Sequence, residues 1–367
     1  MSKYFILGVL ILAVGVGNIY KFSFFSPDVN VSVLDFVVFI LTILNFQRPP
    51  KPLLFFLGMG LLSLVPAYFA FGYQATLVGL MYLVRFGIYS LFLIKKDANF
   101  LIMGVGITLV LTGLIQYLFF PDIRSLAIAV WDLHYYRVVG SQLDPGFMGI
   151  MLLFFLVYLL QFKTAVYKFL WAITYMLFAL TYSRSSFLAY FVVMAFLAWR
   201  KKSWKFLVGM WLLLALTLPL LPRSPDGEGV KLERTSSIQA RIDNWSNSLI
   251  VFRDHPILGV GFNTYRYAQI QYGFLKTKTI STHSGAGADS SLLFVAATTG
   301  VIGLTAYVNY LRHLWSWSDL QPYLMVGLIH SWFLNSLFYP WVLLWLGLIM
   351  ASKLRPIPVE PHSPPSR

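Results

Sequence analysis

The sequence predicts an all-α, polytopic transmembrane bundle of about twelve spans with one large extracytoplasmic loop that contains short amphipathic helices. Three observations predict it. Hydrophobic residues make up 58% of the chain and charged residues only 11%, against roughly 25% charged in soluble domains. Largely apolar runs of bilayer-crossing length recur from one end to the other, and lysine and arginine collect in alternate loops between them.

The runs, in order, are 4–20, 31–46, 52–66, 75–94, 100–120, 147–162, 165–181, 184–199, 204–221, 291–311, 320–334 and 336–352. The first, headed by Lys3, has the shape of a signal peptide but lacks a small-x-small cleavage site, so it is expected to stay as a span. With the N-terminus inside, the inner loops carry Arg48 and Lys51, Lys95 and Lys96, Lys163 and Lys168, Arg200 to Lys205, Arg312, and finally Lys353 and Arg355. The outer loop Pro66–Gln74 has no charge. Segment 222–290 is long enough to translocate whatever its charge. The expected organisation is therefore 1–221 as nine transmembrane helices, 222–290 as an extracytoplasmic catalytic loop, 291–352 as three further helices, and 353–367 as a disordered cytoplasmic tail. Both termini are expected in the cytoplasm.

Composition also excludes classes. The net charge of +14 would suit nucleic acid, but the basic residues lie in short loops beside apolar runs and form no stripe, so no nucleic-acid partner is expected. With no cysteine in the chain, disulfides, thiol nucleophiles and thiolate metal sites are ruled out. No Asp-x-Asp pair or local zinc motif occurs, and neither a metal nor another cofactor is indicated.

The polar residues concentrate in the long loop. Ile238, Ile242, Trp245, Leu249 and Phe252 recur at helical spacing, with Arg241, Asn244 and Ser248 on or beside the polar side. That helix should end near His255, before Pro256, with Gly259 and Gly261 as loop punctuation. A second amphipathic segment is expected over 264–272, carrying Arg266 and closed by Gly273. A His/Ser/Gly stretch from His283 to Asp289 then leads into the apolar run 292–310.

Four further places carry candidate chemistry. Arg85 lies inside an apolar run, where an unpaired charge costs roughly 2.5 to 3.5 kcal/mol, so it should face the interior, either as a structural ion pair or snorkelling side chain or in a polar substrate cavity. The loop 120–146 gathers Asp132, His134, Arg137 and Asp144 with Trp131, Tyr135 and Tyr136, aromatic rings that suit an interfacial belt or a stacked sugar. Arg184 opens a span beside Ser183, Ser185 and Ser186, which suits either a phosphate at a helix N-terminus or an interfacial anchor. In the loop, His283 and Asp289 are the groups able to accept a proton.

These residues, in the segments LTYSRSSFLA, ARIDNW leading to FRDHPILGVGFNTY, and DSSLLFVAATTGVIGL, resemble the O-antigen ligase and O-antigen polymerase superfamily of bacterial envelope glycosyltransferases. GLIQYLFFP, RVVGSQLDPGFMG and HSWFLNSLFYPW fit the same pattern, so the resemblance covers roughly Arg85 to Trp345. It implies transfer of a glycan from an undecaprenyl-diphosphate carrier to an acceptor hydroxyl on a glycan or lipid, outside the bacterial cytoplasmic (inner) membrane and among its lipids. It also implies that Arg184 and Arg241, supported by Arg266, Arg137 and Arg85, bind the substrate, and that His283 or Asp289 is the base. The chain departs from the pattern at one point: family ligases carry His-Asn where Asp289 and Ser290 stand, with His283 six residues earlier. The base is thus open between two residues, as is ligase against polymerase. The alternative from another class is a transporter or flippase of the same lipid-linked oligosaccharide, which would have no use for a catalytic loop.

Overall fold

The computed structural model describes residues 2–24, 26–94, 97–125, 134–224, 228–276 and 287–353. Among them the chain is mostly helical. It begins with α1 (Lys3–Val16), β1 (Lys21–Phe24), β2 (Ser26–Ser32) and α2 (Val33–Leu44). The two strands correct the all-α expectation. Lys21-Phe22-Ser23-Phe24 alternates polar and apolar residues with the period of a strand, and β1 pairs antiparallel with β2 in the register Lys21 to Ser32 and Phe22 to Val31. Asp35 closes a capping box with Ser32 and so starts α2.

The next element, α3 (Lys51–Ser90), is a helical hairpin. Its helical geometry breaks at Gly72, with φ 81° and ψ −175°, a region essentially reserved for glycine. Leu57 meets Gly87, Leu64 meets Gly79, and a Cβ on Gly60 would lie 2.6 Å from Leu83. Each pair is centred near residue 72, as an antiparallel fold-back requires. The outer loop expected over Pro66–Gln74 is therefore a one-residue reversal: Pro66 stays within the helix.

After α4 (Ala98–Phe119) comes α5 (Pro145–Leu159), in which every residue is buried. A helix that is apolar on all sides and enclosed on all sides belongs at the centre of a bundle. It packs against α6 (Ala165–Ala179), α7 (Arg184–Lys201), α12 (Gln321–His330) and α13 (Pro340–Lys353). Between them run α8 (Trp204–Thr217), α9 (Ser236–Asp254), α10 (Tyr265–Gln271) and α11 (Ser291–Trp315). Helices α9 and α10 lie where the long loop predicts them, ending at His255 and shortly before Gly273.

The apolar run 291–311 is not one straight span. Helix α11 breaks at Gly300, with φ 64° and ψ −168°, and the rings of Phe294 and Tyr307 both pack at 5.2 Å from Phe338. Thirteen residues of straight helix would separate them by roughly 20 Å. The break frees backbone groups that the 256–261 loop then satisfies. Val260 and Gly261 donate N–H to the carbonyls of Ala297 and Thr298 at 3.0 and 2.8 Å, and Val301 donates to Pro256 at 2.8 Å.

Three helices, α3, α4 and α11, are long and apolar enough to cross a membrane by length and composition. The α9 face pattern is the reverse of a soluble helix. Ile238, Ile242 and Leu249 are 46%, 49% and 50% exposed, while Arg241 and Asn244 are half-buried and Ser248 is buried. The polar face meets the protein because what it meets there is polar: a backbone carbonyl, a backbone N–H and a tyrosine hydroxyl.

Candidate functional site

Four arginines converge beside the start of α7. Ser183 caps that helix by accepting the N–H of Ser186, and Ser186 lies against Gly149 of α5. The serines are thereby buried in helix capping and packing, and the guanidinium of Arg184 is the charged group at this end. Its Nη1 donates to the carbonyls of Leu232 and Arg234 at 3.2 and 2.8 Å. Arg234 in turn donates to Gly229 O at 2.7 Å. From α9, Arg241 Nε donates to Phe333 O at 3.1 Å, with its guanidinium 5.9 Å above the Phe333 ring.

Arg137 completes the group from inside. It is buried, and its Nε donates to Thr181 O at 2.9 Å. Burial pushes its pKa down to about 9, and the positive charges of Arg234, Arg184 and Arg241 push the same way, with Asp144 opposing them. A guanidinium remains protonated near pH 7 even so. Four cations and one named acid concentrate positive potential that an anion would relieve. Arg234 was not anticipated from the sequence, because nothing in LERTSS separates it from an ordinary loop charge.

Two other predicted arginines serve differently. Arg85 grips Asp35 through Nε and Nη2 at 2.6 and 2.7 Å, and Tyr89 donates its hydroxyl to the same carboxylate at 2.9 Å. Arg266 is 3% exposed and pairs with Asp28 at 3.4 Å. Each is largely neutralised, which suits positioning better than capture of a free anion. The signal for Asp35 was present: it is the single acid in the run 31–46, and an intramembrane arginine calls for a carboxylate. Asp28 had no comparable signal.

Arg85, Arg266 and Asp289 nevertheless share a wall. They line a cavity of about 440 Å³ together with Lys21, Asn18, Asn263 and Asn335, a size ordinary for small-molecule sites. Arg85 is thus ion-paired to Asp35 and also stands on the wall of a polar cavity. Asp289 donates its backbone N–H to Asn244 Oδ1 at 2.7 Å, which ties the cavity to the polar face of α9. Helix α11 is capped by Ser290, whose hydroxyl accepts the N–H of Leu293. His283 lies outside the described residues, as do Trp131, Asp132 and the tail 354–367. Leu334 and Asn335 of the cavity wall adjoin Phe333, the residue whose carbonyl holds Arg241, so the arginine cluster and the cavity are neighbours.

Residues 169–308 match the model of a family described as O-antigen ligase. Over that stretch the chain is similar to O-antigen ligases. That segment runs from α6 into α11 and contains Arg184, Arg241, Arg266 and Asp289, while Lys21, Arg85 and Arg137 lie before it. The match supports ligase- or polymerase-type function in general, from a glycosyltransferase-type enzyme in a membrane. A comparison with curated proteins gave no match.

Proposed function

We propose that the protein transfers a glycan from an undecaprenyl-diphosphate carrier to an acceptor hydroxyl on the extracytoplasmic face of the bacterial cytoplasmic membrane, without a metal. The observation that carries this reading is the convergence of Arg137, Arg184, Arg234 and Arg241 beside a cavity lined by Asp289. The acceptor hydroxyl loses its proton to Asp289 or His283 and attacks the sugar carbon bonded to the diphosphate. That C–O bond breaks and the carrier departs with the negative charge. Fixed guanidinium groups stabilise the developing charge where a divalent ion would otherwise be needed, since their planar donors fit phosphate oxygens in pairs. Arg184 and Arg241 are the direct contacts, and Arg137, held by backbone carbonyls from within, supports them.

The test is transfer by the purified protein from a labelled carrier-linked glycan to an acceptor. New glycosidic bonds are expected, and Arg184→Ala and Arg241→Ala should each lower turnover about a hundredfold, the scale of losing one transition-state donor. Lysine at either position should recover only part, because a point charge lacks the paired donors. Transbilayer movement of the carrier without bond formation would assign the protein to transport instead. Full activity in either alanine variant would remove that residue from the diphosphate site.

A further inference from the structure

The 440 Å³ cavity holds more polar capacity than the transfer step uses. Asn263 and Arg266 are 8% and 3% exposed, yet among the described residues Asn263 Nδ2 and Arg266 Nε have no hydrogen-bond partner, and Asn335 Oδ1 is an unmatched acceptor. Leaving such groups unmet out of contact with water is costly. Two donors and an acceptor around one space suit a ligand rich in hydroxyls, each of which both donates and accepts. The rings of Phe147 and Tyr339, stacked at 3.6 Å, give the same cavity an apolar wall.

Charge is uneven along this cavity. Asp289 acts on Tyr265, whereas the groups that act on Lys21 are Arg85, Asp35 and Asp144. Asp289 and Lys21 both line the cavity, Asp289 tied to α9 through Asn244 and Lys21 carried on β1. Burial first, and Arg85 second, push the Lys21 pKa down to about 7, with Asp35 and Asp144 opposing. An anion arriving at Lys21 favours the charged ammonium and gains a charge-assisted hydrogen bond from it.

We propose that this cavity binds a sugar residue bearing an anionic group, carboxylate or phosphate, with Lys21 selecting that group and Asn263, Arg266 and Asn335 reading the hydroxyls. The inference rests on the glycan-transfer reading and names the class of sugar that reaction takes. It places Lys21 as a specificity residue, on a strand that precedes the family-matched segment.

The test is calorimetric binding to the full-length protein in detergent, with three carrier-free disaccharides as probes: one neutral, one containing glucuronic acid, and one carrying a sugar 6-phosphate. At pH 6.5 at least one acidic probe should bind about tenfold more tightly than the neutral one, and whichever does so identifies carboxylate or phosphate. Lys21→Met should reduce the acidic affinity to the neutral value while leaving neutral binding unchanged, and Lys21→Arg should keep the preference. The sign with pH follows from the lowered pKa. Below about 7 the empty cavity already holds an ammonium, and above it each unit of pH should weaken acidic binding by up to about tenfold. Should Lys21→Met fail to fold, this loss in the natural protein, absent in Lys21→Arg, decides the matter. Equal affinity for all three probes, binding of none, a preference that survives Lys21→Met, or one indifferent to pH would overturn the proposal. Since no lipid carrier is used, any of these results leaves the transfer reading to be judged separately by the arginine variants.

Discussion

At the scale of single residues, the question is which group takes the acceptor proton. A neutral imidazole offers an unprotonated ring nitrogen that accepts a proton readily, which favours His283 on chemistry. The family resemblance implies a base at the position of Asp289, and Asp289 lines the cavity next to Asn244. Because Ser290 supplies the cap of α11, Asp289→Ser removes a charge without removing a structural cap. The variant should therefore keep the α11 cap, and a melting temperature equal to that of the natural protein makes its activity a report on chemistry. A turnover reduced by about a hundredfold or more in Asp289→Ser, beside an active His283→Ala, would assign the base to Asp289, on the usual scale of general base catalysis. The opposite pattern would assign it to His283. Two active variants would mean that neither residue serves.

At the scale of elements, the helices were legible where a period or a punctuation residue was written into the chain. Helix α9 shows both a 3.6-residue apolar pattern and a proline stop, and its boundaries agree with them. Such patterns say which residues share a face but not which face turns inward. Ile242 points out and Arg241 points in because the neighbours of α9 are polar, and those neighbours come from segments 17, 45 and 92 residues away. The breaks in α3 and α11 were hidden for a similar reason, since one glycine inside an apolar run does not announce its φ. Gly300 is held in a glycine-only conformation, and a Cβ there would collide with the backbone carbonyl of Ile257. Gly300→Ala should destabilise the protein by about 1 to 3 kcal/mol from backbone strain alone, with the collision adding to it. A clear fall in melting temperature in detergent is the expected result. Gly209, whose Cβ would meet nothing within 4 Å, provides the control: Gly209→Ala should leave the melting temperature unchanged or raise it slightly, alanine being the better helix former.

At the scale of the whole molecule, orientation in the membrane rests on charge rather than on contacts. Inner loops rich in lysine and arginine set the direction of insertion, because moving those charges across the bilayer is unfavourable. The proposed reaction depends on the outcome, since the arginines at 234 and 241 and the carboxylate at 289 must share one side of the membrane with the acceptor. The chain has no cysteine, so a single introduced thiol is an unambiguous reporter. Lys231 and Lys201 are both exposed side chains, one in the long loop and one at the end of α7. An impermeant maleimide added to intact cells stripped of any outer barrier should label Lys231→Cys, while Lys201→Cys should react only after the membrane is opened. Reversal of that pattern would put the arginine cluster in the cytoplasm, opposite the face where the acceptor waits, and the transfer mechanism would fail with it. Labelling of both from outside would break the alternation of loops between α7 and α9, which requires α8 to cross. That helix spans 14 residues and rises only about 21 Å, so crossing requires the bilayer to thin locally or the 218–220 turn to continue the span. Protection of Lys201→Cys in the same cells is therefore the observation that decides whether so short a helix reaches across.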